Sequence, residues 1–494
     1  MIQYINNLKN IKQFNEYIIQ QIRKIKYKDY LALKICIKLI FLYHLSISII
    51  DLVLITDLIL IFTNIIQNIT ISSNKMQKYD QIILEKCQKS THNYPFFCIE
   101  IGKANGQELS NFNSLKEAIS NYPNQRYQSV LIKIDSSQWF SQNNFAEEIN
   151  KNNSLANLEL LFKEHKQFGE VEMNELGNQL NKCHNLKKLR INNEKNTYKH
   201  TYQLLKCYSI THLLINFQSG GYQALDIEEP FFQSLNNTYI EISKFQNLQE
   251  LMFYQNNLGL IDTSIDQLGI NLQSSKNLKK LILGLSFNKF GYQGISLLGK
   301  HISKMIQLEQ LELRLEGNNI SNDSISAIGQ SLFNLTNLQS LSLLLYTNEI
   351  NQHGINSLME SIQFLKLSHL SVSFSKNYIK DDGLNKFILY IRNFKELKSL
   401  HMRINQTQIS ELSLLNLIQQ IQICKNIKVL EVQADNQYND DQLIFQIQNL
   451  LQTLTQLINL DFFMNGVYKK SNKYLQKVIQ KKLVRLVNIP QIVT

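Results

Sequence analysis

The sequence predicts an α/β repeat protein in which one strand and one helix alternate about every 30 residues. Three observations carry that expectation. Eight apolar anchors, Leu248, Leu278, Leu308, Leu338, Leu367, Leu397, Ile427 and Leu457, follow one another at steps of 30 residues with a single step of 29. After each of the middle anchors apolar residues alternate with polar ones and are followed by a fixed Asn or Thr. The 494 residues hold only 4 Pro and 17 Gly, as expected of regular units joined by short, similar turns.

The first half of a unit is a strand. In Leu308, Leu311, Leu313 and Leu315 the last three alternate with period two, which places them on one buried face. An Asn follows at a constant offset as Asn288, Asn318, Asn348 and Asn377, with Thr407 in the next unit. A side-chain amide there can both donate to and accept from the turn backbone of neighbouring coils, whose polar groups a stack would otherwise bury unpaired. The second half opens on a small residue, Gly294, Ser324, Gly354, Gly383 or Ser413. Apolar pairs then recur four apart, as in Leu298/Ile302, Leu358/Ile362, Phe387/Ile391 and Leu417/Ile421, which is helical spacing.

Residues 246–464 carry the regular pattern, and 76–245 a looser one. Upstream strands are expected at Phe97–Ile101, Val130–Ile134, Leu155–Leu160, Leu186–Ile191 and Ile210–Phe217. Steps of 24 and 38 residues around Ile210 imply a shortened unit followed by a long insertion near 218–240. Residues 1–75 form a basic segment with an apolar run, Leu39–Ile66, long enough to span a bilayer. Asp51 and Asp57 lie inside that run and nearly cancel its apolar gain. A transmembrane segment and a buried cap on the body both fit. At the other end, 465–494 places Leu475, Ile479, Leu483 and Leu486 on one stripe with Lys473, Lys477, Lys481 and Arg485 off it, as a basic amphipathic cap would.

These units resemble the leucine-rich repeat family, of the ribonuclease-inhibitor-like class with one strand and one helix per unit. Leu248, Leu251, Phe253, Asn256 and Leu258 match the family form L-x-x-L-x-L-x-x-N-x-L, and later units read as a variant lengthened by two strand residues, similar to repeat proteins of AT-rich protist genomes. The resemblance implies an α/β solenoid, or horseshoe, of about eleven or twelve coils, with a parallel sheet on the concave face and helices on the convex one.

Charge narrows the function. The net charge is +11, but residues 1–80 contribute +5 and 465–494 contribute +7, so the body between them is close to neutral. A phosphate-tracking groove needs a cationic stripe that this body does not supply, which argues against nucleic acid as partner. Six scattered cysteines with no ligand spacing suggest a reduced, cytoplasmic chain without a structural metal. Cys183 and Cys424 each precede an anchor by three residues, a slot filled elsewhere by Phe245, Met305, Leu335, Phe364, Phe394 and Leu454 and once by Ser275, so they read as core residues. No phosphate-binding glycine loop, kinase, zinc-protease or nucleophile-elbow motif is present, and no enzyme, catalytic residue or cofactor is expected.

Strand alternation leaves one set of side chains pointing away from the core. Glu312, Arg314, Glu316, Tyr346, Ser371, Ser373, His401 and Arg403 are the candidate partner-binding residues, with Tyr346 as anchor beside Arg314 and Arg403. The expected function is a monomeric, non-catalytic scaffold holding a protein partner on the concave face. The alternatives are a regulator of a small GTPase, since the Ran activators belong to this class, and a receptor anchored through Leu39–Ile66. The basic end 465–494 departs from the acidic tail of the Ran activators.

Overall fold

The computed structural model describes residues 84–87, 96–100, 129–134, 156–162, 169–194, 200–218, 229–435, 446, 449–450, 454 and 457–465. The chain divides into two compact units, Met1–Tyr79 and Asp80–Thr494, and every described residue belongs to the second. The apolar run Leu39–Ile66 and the amphipathic stripe Leu475–Leu486 lie outside the described residues. Among those described, no helix is long and apolar enough to cross a membrane.

Fourteen described strands form one sheet in strict chain order. They are β1 (Leu84–Cys87), β2 (Phe96–Glu100), β3 (Ser129–Ile134), β4 (Asn157–Phe162), β5 (Lys188–Glu194), β6 (His212–Gln218) and β7 (Glu250–Tyr254), then β8 (Lys280–Gly284), β9 (Gln310–Arg314), β10 (Ser340–Leu344), β11 (His369–Ser373), β12 (Ser399–Arg403), β13 (Val429–Asp435) and β14 (Asn459–Asn465). Strands β2 to β14 are parallel, and β1 pairs antiparallel with β2. The parallel run therefore exceeds the expected eleven or twelve coils. Strand β1 went unforeseen because its four residues, Leu-Glu-Lys-Cys, show no repeat anchor.

Helices return the chain on the other layer. They are α1 (Glu170–Asn181), α2 (Glu229–Ser243), α3 (Asp262–Leu272), α4 (Tyr292–Ile302), α5 (Asn322–Leu332), α6 (Gln352–Ile362), α7 (Lys380–Ile391) and α8 (Glu411–Ile423). Strands pack about 4.8 Å apart and helices about 8–10 Å apart, so the stack bends with the sheet inside. This is a leucine-rich repeat α/β solenoid with a concave parallel sheet and convex helices. Its core is one continuous cluster between the layers, and the anchors Leu248 to Leu457 are all buried in it.

The irregular steps have a structural cause. Lys188 lies opposite His212 and His212 opposite Glu250, giving the expected steps of 24 and 38 residues. In the short coil a 3₁₀ turn, Thr201–Leu204, replaces the helix. The following coil carries the 15-residue α2, which overlaps the stretch read as an insertion and ends just past it; residues 219–228 lie outside the described set.

The 29-residue step is a lost turn residue. Met305 and Leu335 sit three before their anchors, which close back onto them through Leu308 N–H to Met305 O (3.0 Å) and Leu338 N–H to Leu335 O (2.9 Å). In the next coil Leu365, two before Leu367, fills the core slot, and Phe364 is 72% exposed. The assignment of Phe364 to the core is thereby corrected. Cys183 is buried in that slot, and Cys424 is only partly withdrawn.

The asparagine series forms a ladder. Asn318 Oδ1 accepts from Asn288 N–H at 3.0 Å, and Asn348 Oδ1 accepts from Asn318 N–H at 3.0 Å and Ile320 N–H at 2.9 Å. Each amide also donates backwards: Asn318 to Leu285 O at 2.9 Å, Asn348 to Leu315 O at 3.0 Å and Asn377 to Leu345 O at 2.7 Å. The ladder stops at Thr407, whose hydroxyl reaches only its own coil, at Ile404 O (2.7 Å).

The reading of Asn256 as the motif asparagine is also corrected. Tyr254 pairs with Gly284, so Leu258 occupies the slot of Asn288, and its N–H donates to Asn288 Oδ1 at 3.0 Å. Gln255, fully buried, stands where later coils place Leu285, Leu315 and Leu345. The coil at 248 therefore has the same length as its successors.

Candidate interaction surface

The sheet register fixes which outward side chains are neighbours. One row runs Arg190, Leu214, Met252, Ile282, Glu312, Ser342, Ser371, His401, Glu431 across successive strands. The next runs Asn216, Tyr254, Gly284, Arg314, Leu344, Ser373, Arg403, Gln433. Six of the eight sequence-derived candidates, Glu312, Arg314, Ser371, Ser373, His401 and Arg403, stand in these two rows, while Glu316 and Tyr346 follow the ends of β9 and β10; the eight separate into distinct clusters.

The first cluster spans β7 to β9. The Arg314 guanidinium lies 5.2 Å from the centre of the Tyr254 ring and donates to Glu312 Oε1 at 2.5 Å. The Tyr254 ring covers Gly284, where a Cβ would sit 2.5 Å from Tyr254 Cδ1. Glycine on that strand therefore reserves the space in which the aromatic ring lies flat. Glu316 accepts a hydrogen bond from the Ser286 hydroxyl. Burial pushes the Glu316 carboxyl above its ordinary value, against the opposing pull of Ser286.

Phe287 lies in the turn after β8, with its N–H donating to Glu316 O at 2.7 Å. It is 50% exposed and its φ is +57°, a conformation that costs a bulky residue energy. In the next coil Gly317 takes the same place, and a Cβ there would fall 2.5 Å from Phe287 Cδ1.

The second cluster is smaller. The Lys376 ammonium stands 5.1 Å from the centre of the Tyr346 ring. A hydrogen bond from Lys376 lowers the Tyr346 phenol below its ordinary value, with Thr347 acting in the same direction. Tyr346 is thus partnered by Lys376, while the charged partners of Arg314 and Arg403 are Glu312 and Glu431.

The third cluster surrounds Glu431. His401 Nδ1 lies 2.8 Å from Glu431 Oε2, and His401 Nε2 lies 2.8 Å from Ser399 Oγ. Arg403 approaches Glu431 Oε1 at 3.5 Å, and Gln433 donates to the same oxygen at 3.0 Å. The hydrogen bond with His401 is the main cause holding the Glu431 carboxyl below its ordinary value.

Serines floor the space between the clusters. Ser371 is partly exposed, but Ser373 is buried, because it is a small residue between Leu344 and Arg403 in its row. Its nomination as a contact residue is corrected on that ground.

Sequence reasoning missed Tyr254 and Phe287. The signal for Tyr254 was a glycine one repeat later, at Gly284, on an otherwise apolar or charged strand. The signal for Phe287 was the paired Gly317, again 30 residues on. It also missed Leu214 and Met252, which with Ile282 form a partly exposed apolar ribbon across β6 to β8. No group of three or more His, Cys, Asp or Glu among the described residues is placed to hold a metal ion.

No protein-family model matches the chain, and no curated protein does. Among solved structures the chain is similar to internalin C2 of Listeria monocytogenes, at 16% identity and a TM-score of 0.25, over 47% of this chain and 84% of that one.

Proposed function

We propose that this chain is a non-catalytic scaffold, of the ribonuclease-inhibitor-like type, that holds a protein partner on its concave sheet. The observation that carries the reading is the composition of the outward rows. An apolar ribbon and two space-reserved aromatics lie between ion-paired rims, Arg190–Glu159 at 3.6 Å on one side and Arg403–Glu431 at 3.5 Å on the other. Partner surfaces use aromatic and Arg anchors enclosed by polar rims in the same way. The near-neutral body favours protein over nucleic acid as the partner, and the chain is read as a cytoplasmic monomer. The receptor reading through Leu39–Ile66 and the GTPase-regulator reading draw no support from the described surface.

The test is to plug the face. Ser342→Trp with Ser371→Trp should abolish capture of the cellular partner by the full chain while leaving its thermal unfolding unchanged. Equal capture by both forms overturns the scaffold reading.

A further inference from the structure

Among the described side chains of the concave strands and the turns that follow them, the carboxylates Glu159, Glu250, Glu312 and Glu431 have ion-pair partners and Glu316 has none. Glu159 pairs with Arg190, Glu250 with His212 and Lys280, Glu312 with Arg314, and Glu431 with His401 and Arg403. Among the described residues no lysine, arginine or histidine lies within ion-pair distance of Glu316, whose hydrogen-bond donor is the Ser286 hydroxyl. Arg314, two residues away on the same side of the strand, is directed to Glu312 and the Tyr254 ring instead. A half-buried carboxylate without an ion-pair partner loses hydration, which the Ser286 hydroxyl and the more distant Arg314 charge offset only in part, since burial dominates its shift.

Phe287 is joined to Glu316 through the backbone of the neighbouring coil. Its N–H donates to Glu316 O at 2.7 Å, and its ring covers Gly317, the residue after Glu316. Asn257, one coil earlier, shares the positive φ of Phe287 and Gly317. Asn and Gly adopt that conformation at little cost, whereas Phe does not. The turn geometry therefore does not call for Phe at this position. An exposed aromatic ring over the residue that follows a carboxylate without an ion-pair partner suits one chemistry, a cation that meets the charge with its head and the ring with its face.

We infer that Glu316 and Phe287 form a receptor for a lysine or arginine side chain of the protein partner. The inference rests on the scaffold reading and names the chemistry of one contact within it. The cationic head pairs with the Glu316 carboxylate, and the stem lies on the Phe287 ring.

The experiment selects random peptides displayed on phage against the full chain. Recovered peptides should carry a Lys or Arg at a fixed position. Their binding should fall about ten-fold when that residue becomes Gln, and about as much in Glu316→Gln. Phe287→Gly should also weaken binding, yet leave the thermal midpoint unchanged or raised, because glycine relieves the strained φ; a purely structural Phe would lower it. Peptides without a basic residue, binding that changes less than about two-fold in Glu316→Gln, or an empty selection would overturn the inference. The scaffold reading stands or falls separately, on partner capture by the Ser342→Trp, Ser371→Trp form.

Discussion

The coils β7 to β12 and the coils β4 to β6 are built from the same unit but close their turns differently. In the regular stretch the third apolar slot holds Leu285, Leu315, Leu345, Phe374 and Ile404, all buried, and asparagines satisfy the turn backbone from coil to coil. In the irregular stretch the same slot holds Phe162, Asn193 and Phe217 in turn, with Gln255 at the junction. Asn193 donates to the Thr201 hydroxyl at 3.0 Å and Gln255 to the Tyr239 hydroxyl at 2.9 Å, while Asn193 Oδ1 and Gln255 Oε1 find no protein partner. A solenoid tolerates such coils because each contacts only its neighbours, so a weak coil weakens locally. In the uniform stretch the turn asparagines Asn288, Asn318, Asn348 and Asn377 all donate to backbone carbonyls, while Ser275 Oγ and Asn405 Oδ1 are the buried side-chain atoms there with no protein partner.

Breaking the ladder should have the largest effect. Asn318→Ala leaves the buried Asn288 N–H without a partner and removes one of the two donors to Leu285 O, the other being Asn288 Nδ2. A stranded buried group costs about 1–3 kcal/mol and a further lost hydrogen bond about 1 kcal/mol, so a loss of about 2–4 kcal/mol is expected in denaturant titration. Thr407→Ala, beyond the end of the ladder, should cost about 1 kcal/mol, since it gives up one local bond.

The junction sharpens the contrast from the other side. Gln255→Leu alone should destabilise by about 1–3 kcal/mol, because the buried Tyr239 hydroxyl loses its partner. Adding Tyr239→Phe should recover most of that loss, since removing both polar groups is nearly neutral. A double variant no more stable than the single one would show that the pair contributes shape rather than polarity. Amide exchange should place the two stretches in order: β5 and β6 should open at lower free energy than β9 to β11.

The smallest effect is in pH. The Glu431 carboxyl is held below its ordinary value by His401, so its contribution is present above the ordinary carboxylate range and is lost as pH falls through the lowered value. Glu316, pushed up by burial, acts in the opposite sense: its charged form costs stability above its raised value, and the cost disappears as it protonates. Glu431→Gln should flatten the acid limb of the stability curve and Glu316→Gln should raise the neutral plateau. Each change should be under about 1 kcal/mol, because both groups meet solvent. Thermal midpoints between pH 3 and 7, about the carboxylate range, would read both.

The period, the two halves of each unit and the asparagine ladder were legible because each is a repeated one-dimensional pattern with a single physical use. The Leu308 series alternates because one strand face is buried, and Asn318 recurs because a stacked turn needs both a donor and an acceptor. Two local misreadings share a cause. Asn256 fitted the motif by type and Phe364 fitted the slot by spacing, yet sheet register and a deleted turn residue moved the functions to Leu258 and Leu365.

What the sequence determined by itself was therefore the stack: its period, its layers and its buried stripe. What only the tertiary structure decided was the surface. The side-chain pairs on it, Arg314 on Tyr254, Lys376 on Tyr346, and Glu431 between His401 and Arg403, join residues of different coils. Burial repeats with the coil and so is written along the chain, whereas a lateral contact depends on two residues a whole repeat apart and on which of them is small enough to let the other lie down.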